Sequence, residues 1–452
     1  MIKSSRVAIS LIVALVLGGC ASSVATHQQA VSVVDGVVKV PKKYRSSFLG
    51  GEVQDGWIKR FGDSKLNYLV KEAQKRNPDL EIAASKVERA IANMQITHSG
   101  MIPHLDLKGN YSYRSWEASK HHDKGDISLS LNWEPDLWGR VANELQSNSD
   151  YTVATMADFA WARQVLSANV ARAWFLLNAD NAIYRFNKEV VRIQTEARDI
   201  LKKRAKIGQG NLRDVHLISG MLAEALDSAQ AAKIAKESDI RALEVLVGRY
   251  PATKIKPRRL SNISPMPKSG VPLDLLNRRA DIIAARYKVA SAFHNLKATE
   301  LLKLPRIDIS VNAGEDIVQH TMAKLIGGLF MPIFDAGKID AMVAKASSDQ
   351  KRAIAEYKKV VLRAFREVED SLAKDRQLYH RYRYAIMMVK EYKMAYDMTY
   401  KNYKIGQGTL LDVLNVQTKW INAKILKTQI QKERLINRVN LYLALGGNYK
   451  RK

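Results

Sequence analysis

Two hydrophobic patterns alternate along this chain of 452 residues. Over 136–250 and 333–452, which contain no proline, apolar residues recur at helical spacing among Ala, Lys, Glu, Gln and Leu, which predicts helices. One such run is Tyr357, Val361, Ala364, Val368 and Leu372. Only the Gly-x-Gly segments at 208–210 and 406–408 interrupt these spans strongly. Each span therefore predicts a long helix, a tight turn and a returning helix; a helix over 140–206 would be about 100 Å long.

Between the helices, apolar and polar residues alternate with a period of two, which predicts β-strands. The clearest apolar series is Leu105, Leu107, Tyr111 and Tyr113, followed by Ile127, Leu129, Leu131 and Trp133. It predicts a hairpin over about 104–134 with a polar connection from Glu117 to Gly125. A less regular hairpin is predicted over about 306–334, where the second strand falls in the run 325–334. Each strand has about the 9–11 residues that cross a bilayer as tilted β.

The helix–hairpin–helix unit occurs twice in the sequence. Residues 206–215 and 404–413 share eight of ten positions at an offset of 198. Five further pairs keep the same order: Asp79/Asp281, Pro103/Pro305, Asp106/Asp308, Gly139/Gly337 and Gly248/Gly446. This order indicates a tandem duplication. We predict a first repeat over 57–250 and a second over 273–447, with turns at 207–211 and 405–409, and the proline-rich stretch 251–272 as the linker.

Four strands are too few to close a barrel in a membrane. Free strand edges in lipid leave backbone groups unpaired at a cost of several kcal/mol each, and bacterial outer-membrane barrels have at least about eight strands. If three chains pool their hairpins, they supply twelve strands. The predicted fold class is therefore an α+β membrane protein whose sheet is completed by other chains. The alternative is a soluble α+β protein in which two small sheets pack on helices.

The N-terminus predicts export and a lipid anchor. Lys3 and Arg6 precede the apolar run 7–17, as in a secretory signal peptide. The chain's single Cys then follows in Leu-Gly-Gly-Cys20, which resembles a bacterial lipobox. We predict a signal peptide over 1–19, lipidation at Cys20 and a lipid-anchored segment over 20–56; Ala21 favours the outer membrane. The alternative is a general signal peptide with an incidental Cys.

Composition excludes several classes of function. The net charge of +27 falls to +25 once Lys3 and Arg6 are removed, and export keeps this basic chain away from the chromosome, so nucleic acid is not an expected partner. One Cys permits no intramolecular disulfide. There is no nucleophile–base arrangement or phosphate loop, and no metal site or cofactor other than the covalent lipid is expected. Residues 448–452 form a basic tail, and an enzyme is not predicted.

In order and spacing, these features resemble the outer-membrane efflux proteins, and more narrowly the lipoprotein branch of the TolC-like channels. The resemblance rests on the lipobox, the duplicated unit, the Ile-Gly-Gln-Gly turns and the segments 135–140, 332–338 and 444–447. It implies a homotrimer with a twelve-stranded outer-membrane β-barrel and a long periplasmic α-helical barrel. It also implies a periplasmic adaptor and an inner-membrane pump as partners, with passive conduction as the function.

The resemblance assigns roles to the two turns. Ile207, Gly208, Ile405 and Gly406 match the positions where the family docks its adaptor at the periplasmic tip. Asp412 matches a ring of carboxylates at the closed iris, although the second ring position of many relatives is the neutral Asn415 here.

A clasp between the two turns is also implied. Asp214 and Tyr403 match a pair that bonds across and holds the iris shut, but Gly408 replaces the Arg that relatives add. A structural interpretation competes with these roles, because Thr409-x-x-Asp412 and Asn211-x-x-Asp214 are both typical of helix capping boxes.

Two functions from different classes remain open. One is an export duct; the other is a non-conducting, lipid-anchored coiled-coil spacer or adhesin of the cell envelope. The bilayer-length hairpins favour the duct, because a spacer has no use for them. The charge of +25 motivates a further hypothesis that the duct prefers anions.

Overall fold

The computed structural model describes residues 24–34, 36–46, 53, 56–114, 122–316 and 321–447. The predicted signal peptide, Cys20 and the basic tail lie outside these residues. The elements in chain order are α1 (His27–Val31), α2 (Ser64–Arg76), α3 (Pro78–Ser99), β1 (His104–Arg114), β2 (His122–Trp133), α4 (Arg140–Lys206), α5 (Leu212–Leu246), α6 (Pro272–Arg278), α7 (Ala280–Glu300), β3 (Arg306–Asp316), β4 (Thr321–Phe330), α8 (Lys338–Lys404) and α9 (Leu410–Ala444).

The chain divides into two compact units, each built from both halves of the sequence. The first contains residues up to 39, 84–158 and 281–361, and therefore all four strands. The second contains 40–83, 159–280 and 362–452, and therefore both helical turns. No helix in the described ranges combines the length and apolar character needed to cross a membrane.

The helices confirm the predicted duplication. Helices α4 and α8 have 67 residues each, and α5 and α9 have 35 each. The linker contains no helix until α6 begins at Pro272. Since the long helices of the two copies are equal in length, the four residues missing from the second copy fall before α8, in the hairpin region.

The two hairpins form one antiparallel sheet in the order β1-β2-β3-β4. The register places Leu107 opposite Leu129, which in turn lies opposite Ala313 in the other copy. The alternative with two separate sheets is therefore not found. The edges of the sheet are β1 and β4, each of which pairs on one side only within the described strands.

Two predicted strand limits were wrong. Strand β2 begins at His122, so Gly125 belongs to the strand and not to the connection. Strand β4 ends at Phe330 and does not extend to 334. Pro332 explains this second limit, because proline has no N–H to donate to a strand neighbour.

In the first unit a buried carboxylate holds the N-terminal segment. The Nδ1 atom of His27 lies 3.1 Å from Oδ1 of Asp150, and the His27 ring stacks on Tyr287 with centroids 4.1 Å apart. On the other side, Nε2 of the buried His294 lies 3.7 Å from Oδ2 of Asp150. Burial lowers the pKa of His294, which favours its neutral form.

The core of the second unit is aromatic and draws on both copies. Trp57 stacks on Tyr442 at 5.7 Å, and Phe61 packs against Phe175 at 5.0 Å. The buried Trp174 indole donates a 2.7 Å hydrogen bond to Asp63 Oδ2. The other Asp63 oxygen accepts from two backbone amides at the start of α2, so one carboxylate both caps this helix and orients the Trp174 ring.

In each copy the returning helix ends against the last residue of a shorter helix from the start of that copy. These last residues are Arg76 of α2 and Arg278 of α6. Gly248 and Gly446, just past α5 and α9, have φ of 74° and 96°. A Cβ on Gly248 would lie 2.3 Å from the Arg76 carbonyl oxygen, and one on Gly446 would lie 2.9 Å from Cγ of Arg278. Both glycines therefore combine a left-handed backbone with a close contact that a side chain would block.

The buried carboxylate of Glu244 fixes the start of the linker. Its Oε2 accepts a 2.8 Å hydrogen bond from the Thr253 amide, and its Oε1 accepts from the amides of Lys254 and Ile255 at 2.5 and 3.0 Å. Glu244 is 1% exposed. Three amides on one carboxylate satisfy a buried charge that would otherwise be costly.

Gly248→Ala should destabilise the second unit. A left-handed Ala costs about 1–2 kcal/mol, and the Cβ would also displace the Arg76 carbonyl. We expect a lower midpoint of thermal unfolding for the purified protein in detergent. Gly220→Ala is the control, since its Cβ would meet nothing within 4 Å in α5; there Ala should stabilise by about 0.5–1 kcal/mol. Equal midpoints for the two variants would contradict the close contact.

Candidate functional site

The two helical turns have the same backbone structure. In the first, the Gly208 amide donates to the Ala205 carbonyl at 3.2 Å and the Gln209 amide to the Arg204 carbonyl at 2.9 Å. In the second, Gly406 and Gln407 make the equivalent bonds at 3.1 and 2.9 Å. This is the Schellman ending of a helix, with glycine in the left-handed position. The φ values of 73° at Gly208 and 80° at Gly406 agree.

The predicted docking residues are accessible. Ile207 is 67% exposed and Ile405 is 68% exposed. A Cβ placed on Gly208 or Gly406 would meet nothing within 4 Å, so another backbone could approach either glycine closely. Each turn thus presents one large apolar side chain beside an open patch of backbone, which suits a shallow protein contact. The docking role itself remains a prediction.

A complete capping box begins α9. The Thr409 amide and hydroxyl both donate to Asp412 Oδ2, at 3.1 and 2.6 Å, and the Asp412 amide donates to the Thr409 hydroxyl at 3.1 Å. These bonds, first from the Thr409 hydroxyl and then from its amide, lower the pKa of the Asp412 carboxyl. Asp412 therefore has the structural role that the sequence allowed, and its exposed carboxylate is charged at neutral pH.

The first copy does not repeat this box. Asn211 caps α5 by accepting from the Arg213 amide at 2.9 Å. The Asp214 carboxylate accepts instead from the Arg213 guanidinium at 3.3 Å, so Asn211 caps the helix but neither bond of the predicted box with Asp214 is found among the described contacts. The copies differ at two of the residues involved, because Asn211 and Arg213 of the first copy are Thr409 and Leu411 in the second. Leu411 has no polar side-chain group that could compete for the carboxylate.

Asp214 and Tyr403 are not hydrogen-bonded to each other in the described chain. The Tyr403 hydroxyl accepts from the Arg204 guanidinium at 3.2 Å, and the same group lies 5.9 Å from the Tyr403 ring centroid. Arg204, on the last turn of α4, thus supplies an arginine partner where Gly408 supplies none. Its sequence signal was weak, because it stands in the basic run Lys202, Lys203, Arg204 and Lys206, in which no local pattern distinguishes one cation from the next.

Asn415 lies one turn after Asp412 on the same exposed side of α9. Asn415 carries no charge, so Asp412 is the acidic residue in the first turn of α9. The iris assignment of Asp214, Tyr403, Asp412 and Asn415 remains a prediction. What the described residues establish is that each turn carries exposed charged and amide groups on capped, rigid helix ends.

The sheet in the first unit has one apolar and one polar face. On the apolar face seven side chains are 48–74% exposed: Leu105, Leu107, Tyr111, Ile127, Leu129, Leu325 and Leu329. On the polar face Lys108 donates to the Ser130 hydroxyl at 3.1 Å and Asn132 donates to Asp106 at 3.3 Å. A face of exposed apolar residues backed by a hydrogen-bonded polar face is typical of strands between lipid and water.

Among the residues described, no three or more His, Cys, Asp or Glu side chains form a group that could hold a metal ion. The arrangement at the turns, an exposed apolar side chain beside exposed charged groups, is suited to protein contact.

Removing the capping box should loosen the first turn of α9. For Thr409→Val and for Asp412→Ala we expect faster hydrogen exchange at the backbone amide of residue 412. Thr409→Val removes the hydroxyl that accepts from this amide, and Asp412→Ala removes the carboxylate that orients that hydroxyl. Since the folded pKa of Asp412 is depressed, the carboxylate's contribution is present above its ordinary pKa of 3.8 and is lost as pH falls through the lower folded value.

The wild-type protein should therefore show the same loss of protection only in acid below that value, after correction for intrinsic exchange. Asn415→Ala is the control, since the described contacts give Asn415 no hydrogen bond to lose. Unchanged exchange in Thr409→Val would show that the box does not hold this turn.

Comparison with known proteins gives these features a context. A family model described as outer membrane efflux protein matches residues 69–249 and 271–447. The chain is 27% identical over 421 residues to the toluene efflux pump outer membrane protein TtgC of Pseudomonas putida, covering 88% of this chain and 86% of TtgC. It is 24% identical over 470 residues to the cation efflux system protein CusC of Escherichia coli, covering 97% and 98%.

The fold is shared with solved outer-membrane channels. The crystal structure of the CmeC outer membrane channel of Campylobacter jejuni superimposes with a TM-score of 0.83 at 21% identity, covering 91% of this chain and 94% of CmeC. Because the family model spans most of both repeats, and because the relatives align over nearly their whole length, the chain belongs to the outer membrane efflux protein family.

Proposed function

We propose that this protein is the outer-membrane channel of a tripartite export system, in which three copies form a duct that conducts substrates passively and catalyses no reaction. A periplasmic adaptor and an inner-membrane pump would be its partners, and the pump would supply the energy. The observation that carries the proposal is the four-stranded sheet, with one exposed apolar face and two edges that lack a neighbour in the described chain.

The free edges support assembly of several chains. In lipid the unpaired N–H and C=O groups of β1 and β4 would each cost several kcal/mol. Pairing β1 of one copy with β4 of the next satisfies both edges and keeps the apolar face outward. Three copies would give twelve strands, within the range of bacterial outer-membrane barrels. The spacer or adhesin alternative gives no reason for an apolar face of this size.

The turns support docking of the adaptor. Ile207 and Ile405 would enter apolar pockets on the adaptor, and the open backbone at Gly208 and Gly406 would permit close approach. Since the two turns have matching backbones but different neighbours, Arg213 in one and Leu411 in the other, the adaptor would meet two similar but distinguishable sites on each chain.

The charged groups at the turns support a gate. Three Asp412 carboxylates around a symmetry axis would repel one another and concentrate cations at a narrow opening. The hydrogen bond from Arg204 to Tyr403 would hold the first turn to the second and keep the opening small. The overall charge of +25 favours the opposite ion preference in the wider duct, and we propose that anions are preferred there.

We further propose that Cys20 carries lipid, which would anchor each chain in the membrane; no other cofactor is proposed. The transported substrate cannot be assigned from the names of similar proteins. TtgC is named for toluene and CusC for cations, and one fold serves both. We therefore propose that the pump and adaptor select the cargo of this protein.

A charge on the apolar face should impair membrane assembly, whereas the same charge on the polar face should not. Leu129→Arg places a cation toward lipid at a cost of about 2–4 kcal/mol near the bilayer centre. Ser128→Arg, one residue earlier on the same strand, places it on the polar face. We expect Leu129→Arg alone to reduce the yield of detergent-extracted trimer, measured by native mass spectrometry. A monomeric wild-type protein would refute the trimer.

Breaking the hydrogen bond between Arg204 and Tyr403 should increase conduction. In planar bilayers Arg204→Gln and Tyr403→Phe should each raise the single-channel conductance or the open time, because both remove the bond at 3.2 Å. Asp214→Ala tests the clasp that the resemblance implies, and Lys202→Gln is the control for charge on the same helix end.

The reversal potential in a salt gradient tests selectivity in the same recordings. A cation preference would refute the anion hypothesis. Asp412→Ala should shift the reversal potential further toward anions. If a verified trimer of wild type and of every variant conducts no current, the duct itself is refuted and the spacer function is favoured.

A further inference from the structure

A large basic groove occupies the second unit, away from the turns. Its volume is about 1250 Å³, and its walls come from α4, the linker, α8 and α9. Seven basic side chains line it: Arg185, Lys188, Arg192, Arg258, Arg259, Lys424 and Lys427. Glu189 is the acidic residue among the lining set. So many like charges around one cavity raise a strongly positive potential inside it.

Few of these charges are neutralised by the protein. Lys424 lies 3.3 Å from Glu189, and Arg192 lies 2.8 Å from Glu196. Arg185, Arg259 and Lys427 have no carboxylate partner in the part of the chain that the structure describes. These three cations come from α4, the linker and α9, so elements far apart in sequence direct unpaired positive charge toward a common space.

A smaller cavity of about 520 Å³ continues the groove, sharing Asn262, Tyr382 and Gln431 with it. Arg438 lines this cavity and is 2% exposed. Its Nη2 lies 3.0 Å from Oδ1 of Asp375, but its Nε and Nη1 have no hydrogen-bond partner among the described residues. The same holds for Nε of Arg434 and Oγ of Ser264, which also line this cavity.

Buried donors without an acceptor are uncommon and costly. Asp375 balances one of the two guanidinium charges in the smaller cavity, and Arg434 keeps a net positive charge there, between the rings of Tyr379 and Tyr382 at 5.5 and 5.3 Å. Planar guanidinium groups with free N–H donors match the oxygens of phosphate and carboxylate groups. The smaller cavity thus has the donors of an oxyanion site.

We propose that the groove and the smaller cavity together bind a soluble ligand that carries several oxyanion groups, phosphate or carboxylate. One terminal oxyanion enters the smaller cavity and accepts from Arg438 and Arg434. The other groups lie along the groove against Arg185, Arg259 and Lys427. A bound ligand would bridge the linker and three long helices. The site is independent of the conduction proposed above.

The geometry favours a small ligand over an acidic protein segment. Arg438 is almost fully buried and lines a cavity of about 520 Å³, which a single phosphate or carboxylate can enter. A helix of about 10 Å diameter cannot reach it. The groove of about 1250 Å³ is larger than one phosphate needs, so a ligand with several charges fits both parts.

The test uses the purified full-length protein in detergent with tripolyphosphate as the probe, followed by calorimetric titration. We expect one probe bound per chain, in buffer with about 0.15 M NaCl, where unspecific surface attraction is largely screened. The triple variant R185Q/R259Q/K427Q should weaken binding by about tenfold or more, because it removes the unpaired cations. Citrate as a second probe distinguishes carboxylate from phosphate; binding of either supports the site.

The matched control is K202Q/K203Q/K206Q, which removes the same charge from an exposed stretch of α4 outside both cavities. Its affinity should stay within about twofold of wild type, as expected for screened charges. Arg438→Lys keeps the charge but loses the free donors, and should weaken binding while the midpoint of unfolding is retained. The variant R185Q/R259Q/K427Q tests the site even if Arg438→Lys does not fold.

Three results would overturn the proposal. The first is no binding of tripolyphosphate or citrate to wild type. The second is an equal loss of affinity in the triple variant and its matched control, which would indicate attraction to the general charge. The third is binding of a hexaglutamate peptide but of neither small anion, which would assign the groove to an acidic protein segment.

Discussion

The backbone hydrogen bonds between β2 and β3 are the interaction on which the rest of the structure depends. They join the hairpins of two copies that are about 200 residues apart into one sheet with a continuous apolar face. Each hairpin alone would have two strands, too few for stability. Joined, the four strands leave β1 and β4 without a second neighbour among the described residues, and free edges in lipid are costly. The same ladder therefore unites the copies within a chain and, in the proposed channel, leaves edges that strands of other chains would satisfy.

The duplicated helices have equal lengths, but the side chains at their two turns make different hydrogen bonds. Both turns share the Schellman backbone around Gly208 and Gly406, because the residues that specify it are identical. Their flanking side chains have diverged: a complete capping box holds Asp412, whereas Asp214 accepts from the Arg213 guanidinium. Divergence at the side chains of a common backbone lets one chain present two different surfaces at its two turns.

Charge is used in two distinct ways. Where the chain must be fixed, a carboxylate is buried and fully bonded, as Glu244 is by three linker amides. Where Arg185, Arg259 and Lys427 line the basic groove, the described residues offer their positive charges no carboxylate partner. The first arrangement gives rigidity, and the second leaves a potential that an incoming anion can satisfy.

Periodicity along the chain was enough to determine the duplication, the long helices, the turns and the alternation of the strands, because these depend on neighbours within a few residues. The limits of β2 and β4 were less certain, since strand ends depend on pairing. Only the tertiary structure decided that the hairpins form one sheet, that Tyr403 bonds to Arg204, and that three unpaired cations converge with a buried Arg438. Those residues lie up to about 250 positions apart, and no local pattern records which of many similar basic residues will meet once the two copies have packed together.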